Sequence, residues 1–120
     1  MTVVIDTNIV LYFLQGNKKL IPLVRATDFI VPFIVEIELL SYPNLKDNER
    51  KAIETFLEGC VVYDYNQKVK SAAIDIRKES RLKLPDAFVV ATARALDLPL
   101  ISADKIFLKV PQIRLIEFEL

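Results

Sequence analysis

Short hydrophobic runs alternate with longer stretches of helical periodicity along this chain. The runs are rich in Val, Ile and Leu and predict strands at residues 3–5, 29–31, 60–63, 98–101 and 114–118. Apolar residues at helical spacing predict helices at residues 9–14, 18–25, 33–40, 47–57, from 67 to beyond 76, and 86–93. Strands alternating with helices are typical of an α/β domain. We therefore expect one domain over residues 1–120, with a mostly parallel central sheet of about five strands.

Residues that start and stop helices support these boundaries. Asp47 or Asn48 is expected to cap the fourth helix, which Gly59 ends. Asn66 is expected to cap the long fifth helix, and Pro85 falls in the first turn of the sixth. The local signals and the periodicity therefore predict the same elements.

Composition limits the chemistry. The 120 residues are 52% hydrophobic and 27% charged, which indicates a folded domain. The absence of histidine excludes a Ser-His-Asp triad and imidazole zinc ligands, and a single cysteine excludes an internal disulfide. The net charge of zero gives no sign of a nucleic-acid-binding protein. No apolar run reaches membrane-spanning length, and the N-terminus does not resemble a signal peptide, so we expect a cytoplasmic protein without a membrane partner.

Four carboxylates lie among apolar residues, where an unpaired charge is costly. Asp6 and Asp104 each come just after a predicted strand, and ligands of parallel sheets bind outside the carboxyl ends of strands. Glu38 and Asp86 lie within apolar helical stretches. Each acid also has an ordinary interpretation, as a helix cap, a first-turn acid, a solvent-facing residue or a turn residue.

The four acids together favour a metal site. Converging carboxylates repel one another unless a cation neutralises them. Without histidine or a thiolate pair, such a site has only oxygen ligands and selects hard cations. We therefore expect Mg²⁺ or Mn²⁺, as one or two ions.

Four short motifs in a fixed order resemble those of the PIN-domain family, and in particular the toxin ribonucleases of VapBC-type toxin–antitoxin systems. The motifs are Val4-Ile5-Asp6-Thr7-Asn8, Glu38-Leu39-Leu40, Leu84-Pro85-Asp86-Ala87 with Ala91-Thr92-Ala93, and Ile101-Ser102-Ala103-Asp104-Lys105. Each motif is weak alone, but their order and spacing extend the resemblance over residues 3 to about 118.

The resemblance implies a three-layer α/β/α fold and a metal-dependent endoribonuclease. It implies that the catalytic and metal-binding residues are Asp6, Glu38, Asp86 and Asp104. It also implies supporting roles for Thr7, Asn8 and Ser102. A metal-activated water is expected to hydrolyse RNA phosphodiester bonds, leaving 5′-phosphate and 3′-hydroxyl ends.

Glu36 competes with Glu38 for a place in the site. Residues two apart on a helix lie about 200° apart around its axis, so only one of them can face the acids. The family pattern of an acid followed by leucine selects Glu38, and Glu36 is expected to face solvent.

The expected partners are RNA, a cognate antitoxin protein and a second copy of the chain. A basic segment that leads into Asp86 is the candidate RNA contact, although it also fits a solvated helix face. Its residues are Arg77, Lys78, Arg81 and Lys83. The antitoxin and the homodimer are implied by the resemblance, and the apolar surplus of the chain is compatible with both.

Two other functions remain open. One is a PIN-like binding module without catalytic activity, although none of the four acids is missing. The other is a phosphatase like the haloacid dehalogenases, in which Asp6 would be the nucleophile. Those enzymes normally carry a second aspartate two residues later, where this chain has Asn8.

Overall fold

The computed structural model describes residues 1–119 and has a five-stranded sheet at its centre. The strands are β1 (Thr2–Ile5), β2 (Asp28–Pro32), β3 (Val61–Tyr63), β4 (Leu100–Ser102) and β5 (Leu115–Glu117). Their order across the sheet is β3-β2-β1-β4-β5, and every neighbouring pair is parallel. The predicted α/β class and number of strands are confirmed.

Helices surround this sheet in a three-layer α/β/α arrangement. They are α1 (Thr7–Leu14), α2 (Ile21–Ala26), α3 (Phe33–Leu40), α4 (Asp47–Glu58), α5 (Gln67–Glu79) and α6 (Leu84–Leu96). Successive side chains of a strand point to opposite faces, yet Val3, Val4 and Ile5 of β1 are all fully buried. Both faces of the sheet are therefore covered. Over residues 1–119, no helix is long and apolar enough to cross a membrane.

Several boundaries follow the local signals in the sequence. Asp6 caps α1, and the side chain of Asn66 accepts a hydrogen bond from the backbone of Val69 at the start of α5. Pro85 lies in the first turn of α6, where its missing N–H group leaves no helical hydrogen bond unmade.

Other boundaries differ from the prediction. The cap of α4 is Lys46, so Asp47 and Asn48 lie inside the first turn, where the helix dipole favours an acid. The backbone N–H of Lys46 donates to the carboxylate of Glu49 at 3.1 Å and closes this helix start. The second helix begins at Ile21, three residues later than expected, and β4 extends to Ser102. A short 3₁₀ helix, Lys105–Lys109, was not predicted.

The order of the strands determines where a site can form. The chain moves outward from β1 to β2 and β3, and then returns to the other side of β1 to form β4 and β5. Such a reversal leaves a crevice at the carboxyl ends of the two strands that flank it. Ile5 of β1 pairs with Ile101 of β4, and the backbone N–H of Asp6 donates to the carbonyl of Ile101 at 3.2 Å.

Candidate metal and active site

Asp6 lies at the centre of this crevice, directly after β1. Only 7% of its surface is exposed, and both carboxylate oxygens accept hydrogen bonds. Oδ1 accepts from the backbone N–H of Thr7 at 2.8 Å, and Oδ2 accepts from the hydroxyl of Ser102 at 2.8 Å. The helix start and the end of β4 therefore hold this carboxylate in one orientation.

Ser102 connects Asp6 to Asp104. The serine is fully buried at the end of β4, and its hydroxyl oxygen accepts from the backbone N–H of Asp104 at 3.0 Å. Asp104 is exposed and caps the 3₁₀ helix, with Oδ1 accepting from the backbone N–H of Ile106 at 2.9 Å. Oδ2 of Asp104 accepts no hydrogen bond from residues 1–119 and remains available to a ligand.

Glu38 reaches the same place from α3. Its Oε1 accepts a hydrogen bond from the hydroxyl of Thr7 at 2.8 Å, a contact between residues that are 31 positions apart. Glu36 is half-buried and does not line the crevice. The choice between the two glutamates therefore agrees with the geometry, although Glu36 is less exposed than expected.

Asp86 comes from the first turn of α6, a helix that is buried on almost every side. Small residues such as Ala87, Ala91 and Ala93 let this helix pack closely in the interior, and its N-terminus presents Asp86 at the crevice. The side chain of Asp86 is half-buried, and over residues 1–119 it accepts no hydrogen bond. Asp86 is therefore the least satisfied acid of the four.

These acids line a single open cavity of about 330 Å³, the acidic cavity. Its lining residues are Asp6, Thr7, Asn8, Leu11, Glu38, Ser41, Tyr42, Pro43, Asp86 and Asp104. Four elements distant in the sequence thus contribute one carboxylate each, and the lining contains no lysine or arginine. The sequence interpretation missed Leu11, Ser41, Tyr42 and Pro43. Of these four residues, only Tyr42 could have been found from the sequence, because it lies about one helical turn after Glu38.

Burial and mutual repulsion disfavour the charged state of two of these acids. Burial raises the pKa of Asp6 above its ordinary value, the hydrogen bonds from Ser102 and Thr7 oppose this rise, and the charges of Asp86 and Glu38 add to it. The pKa of Asp86 is also raised, first by burial and then by Asp104 and Glu38. A bound cation would remove both penalties.

The donor set fits a hard divalent cation that keeps part of its water shell. All the side-chain donors in the lining are oxygens, which suit Mg²⁺ or Mn²⁺. Within residues 1–119, however, no three acidic, histidine or cysteine side chains are close enough to form a ready-made ligand cluster. Mg²⁺ retains several waters and needs only one or two direct carboxylates, so the open arrangement is compatible with it.

The basic residues singled out in the sequence lie outside the lining. Arg77, Lys78, Arg81 and Lys83 are all exposed. Lys83, the cap of α6, is near enough to Asp86 to lower the pKa of that carboxyl, against the larger effects that raise it. Lys83 is therefore the member of this set whose charge acts on one of the acids.

Comparison with known protein families matches residues 3–113 to the PIN domain. This range covers most of the chain and includes all four acids. No significant sequence match to a curated protein is found.

Solved structures with the same fold include chains of several toxin–antitoxin complexes. A chain of VapBC2 from Rickettsia felis, bound to a DNA fragment from its promoter, has a TM-score of 0.84 and 20% identity and covers 99% of this chain and 100% of that one. A chain of a toxin–antitoxin complex from Klebsiella pneumoniae has a TM-score of 0.80 and 24% identity, with coverages of 91% and 92%. A chain of DNA-bound VapBC from Salmonella typhimurium has a TM-score of 0.84 and 17% identity, and covers 98% of both chains.

Proposed function

This chain belongs to the PIN-domain family, and from that premise we propose that it is a divalent-metal-dependent endoribonuclease, the toxin of a VapBC-type pair. The observation that carries the proposal is the convergence of four carboxylates, from four separate elements, on one cavity without a basic side chain in its lining. Membership of the family and the shared fold with chains of VapBC complexes support a nuclease of this type. The RNA substrate and the use of Mg²⁺ or Mn²⁺ are part of the proposal.

In this proposal, Asp6, Glu38, Asp86 and Asp104 hold one or two divalent cations, in part through water. When bound, the cation supplies a Lewis acid that lowers the pKa of water and neutralises phosphate charge. Ser102 and the backbone of Thr7 hold the Asp6 carboxylate in position. The Thr7 hydroxyl fixes Oε1 of Glu38 and leaves Oε2 free.

Asn8 and the basic segment complete the proposed substrate site. Asn8 is exposed in the lining, so its amide can donate to a phosphate oxygen. The exposed residues Arg77, Lys78, Arg81 and Lys83 are proposed to contact RNA phosphates beyond the acids. We propose that the protein acts in the cytoplasm, where such an RNA substrate is present.

A groove beside the acidic cavity supports an antitoxin partner. It lies between α1 and α4, has a volume of about 230 Å³, and shares Leu11 and Tyr42 with the cavity. Most of its other lining residues are apolar or neutral, among them Leu14, Leu45 and Ile53. A partner segment bound there would reach the acids, where a basic side chain would be attracted.

A partly exposed aromatic cluster supports a homodimer. The rings of Phe33, Tyr65 and Phe88 pack edge to face, with centroids 5.1–6.2 Å apart. Ile37 and Leu84 lie one helical turn from Phe33 and Phe88, and about half of each is exposed. We propose that a second copy covers this patch.

Two neighbouring glutamates provide the sharpest test of the nuclease. We expect the wild-type protein to cleave single-stranded RNA in Mg²⁺ or Mn²⁺, to stop in EDTA, and to leave a DNA strand of the same sequence intact. Glu38→Gln should reduce cleavage to background, whereas Glu36→Gln, a change on the same helix outside the cavity, should retain it. Products with 5′-phosphate and 3′-hydroxyl ends would agree with a water nucleophile, and a 2′,3′-cyclic phosphate would exclude it.

Thermal unfolding gives a second measurement that does not depend on activity. Mg²⁺ or Mn²⁺ at about a hundred times its Kd should stabilise the wild-type fold by about 2.7 kcal/mol. Asp86→Asn should lose most of this gain. RNA cleavage that survives both EDTA and Glu38→Gln would refute the proposed site.

A further inference from the structure

The acidic cavity has a second, uncharged part in its lining. Beside the four acids lie Leu11 from α1 and the turn that follows α3, which contributes Ser41, Tyr42 and Pro43. Tyr42 is the one aromatic residue of this lining, and 52% of its surface is exposed. A large exposed aromatic side chain at the mouth of a site is a surface on which a ligand can pack.

The local chain holds Tyr42 in place. Ser41 caps α3, and its hydroxyl donates to the carbonyl of Ile37 at 2.6 Å. Pro43 restricts the backbone of the residue before it, and Asn44 turns the chain with a left-handed φ of 61°. Only two side-chain torsions of Tyr42 then remain to be ordered when a ligand binds, so contact with the ring has a small entropic cost.

Charge limits which contacts can attract RNA to this site. Carboxylates repel phosphates, so the acids themselves give RNA no affinity without a cation. Stacking of a nucleobase on an aromatic ring requires no charge, and it contributes to the binding of single strands whatever the base. Tyr42 is the lining residue that can make this contact.

We infer that Tyr42 is the platform on which a nucleobase beside the cleaved phosphate stacks, and that it makes the enzyme selective for unpaired RNA. This inference rests on the proposed function. A base can lie on a side chain only when it is unstacked from its neighbours, as in loops and single strands. Because every base has a flat face, Tyr42 favours unpaired over paired RNA but does not favour a particular base sequence.

Binding of RNA to Tyr42 variants tests the inference. The probe is a fluorescein-labelled single-stranded RNA of mixed sequence, about 12 nucleotides long, measured by anisotropy with Mg²⁺ in the Glu38→Gln background so that it stays intact. Tyr42→Leu keeps an apolar side chain but removes the ring, and affinity should fall about 5- to 100-fold. Tyr42→Phe should bind like the parent. Leu108→Ala, a change at a large apolar side chain that is 57% exposed outside the cavity, should have no effect.

A scan with abasic nucleotides locates the contact. One abasic site is moved along the probe. At a single position it should weaken RNA binding by the parent protein but not by the Tyr42→Leu protein. A duplex of the same sequence should bind both proteins equally weakly. The inference is overturned if the parent and Tyr42→Leu bind the intact single strand with equal affinity. It is also overturned if the difference in affinity between the two proteins persists at every abasic position.

The outcomes also separate this inference from the nuclease proposal. If the wild-type protein cleaves RNA and Tyr42→Leu cleaves it equally well, the role of Tyr42 is refuted and the nuclease stands. If the wild-type protein neither binds nor cleaves RNA, both are refuted.

Discussion

Charged side chains are arranged in opposite ways at two places in this molecule. Near the end of α6, Arg94 donates two hydrogen bonds to the carboxylate of Glu79, at 3.1 and 3.4 Å, and a third to the carbonyl of Pro111 at 2.8 Å. Near the start of the same helix, Asp86 lies beside three other carboxylates and accepts no hydrogen bond within residues 1–119.

The difference separates a structural ion pair from the cluster of acids that we propose as the active site. The Arg94–Glu79 pair compensates its own charges and ties α5 and α6 to the chain that leads into β5. Three acids of the cavity, Asp6, Glu38 and Asp104, are held by hydroxyls or backbone N–H groups, which orient them without neutralising them. Groups kept in an unfavourable state by their surroundings are typical of functional sites.

The largest expected effect separates activity from stability at Asp6. Asp6→Asn should reduce RNA cleavage to background, because it removes a central negative charge from the proposed cation site. In the presence of a chelator, however, the variant should unfold at the same temperature as the wild-type protein or higher, since the wild-type carboxylate is buried without a cation. Asparagine caps a helix as well as aspartate does, so α1 should be unaffected.

A parallel measurement of cleavage and thermal unfolding checks this result. If Asp6→Asn lowered the unfolding temperature by as much as a typical core substitution, the loss of activity would be explained by misfolding.

A smaller effect, on stability and not on activity, is expected at Arg94, whose side chain is 18% exposed. Arg94→Met should destabilise the fold by about 1–3 kcal/mol, because the charge-assisted hydrogen bonds of a largely buried guanidinium are lost and the carbonyl of Pro111 loses its donor. Activity per folded molecule should not change. Arg114→Met is the matched control: its partner Asp97 is fully exposed, and no change in stability is expected. A loss of activity without a loss of stability in Arg94→Met would contradict the comparison.

The smallest effect is a dependence of stability on pH at Asp86. The raised pKa means that the folded protein binds the proton more tightly than the unfolded chain, whose carboxyl titrates near 3.8. Protonation therefore stabilises the fold at low pH, and this contribution is lost as the pH rises through the raised pKa. With chelator present, Asp86→Asn should gain stability over the wild-type protein as the pH rises from about 4 to 7.

Urea unfolding at several pH values measures this gap. Excess Mg²⁺ is the control. It should remove the difference in stability between Asp86→Asn and the wild-type protein, because a bound cation compensates the wild-type carboxylate. A gap that stays constant between pH 4 and 7 would mean that Asp86 does not titrate abnormally.

Much of the fold could be predicted because its signals are local. Apolar runs marked the strands, and Asn66 and Pro85 marked helix starts that the structure contains. The errors were also local: at Lys46, an acid three residues later closes the helix start in place of a capping side chain. The positions of the four acids at strand ends and in apolar helices were visible for the same reason.

Contacts between residues that are far apart in the sequence could not be predicted from local signals. Asp6 and Ser102 are 96 positions apart, yet they are joined by a 2.8 Å hydrogen bond because β1 and β4 are neighbours in the sheet. Tyr42 lines the cavity because the turn after α3 places it there. Within the basic segment, Lys83 is the residue whose charge affects an acid of the cavity, since it lowers the pKa of Asp86.

By itself, the sequence determined an α/β domain, a chemistry limited to oxygen ligands by the absence of histidine, and four candidate acids. The tertiary structure decided which strands are neighbours, which glutamate faces the cavity, and that Tyr42 lies beside the acids. The reason is physical: periodicity, caps and turns depend on residues a few positions apart, whereas strand order depends on how all the apolar faces pack together. The site lies where that packing brings the carboxyl ends of β1 and β4 together.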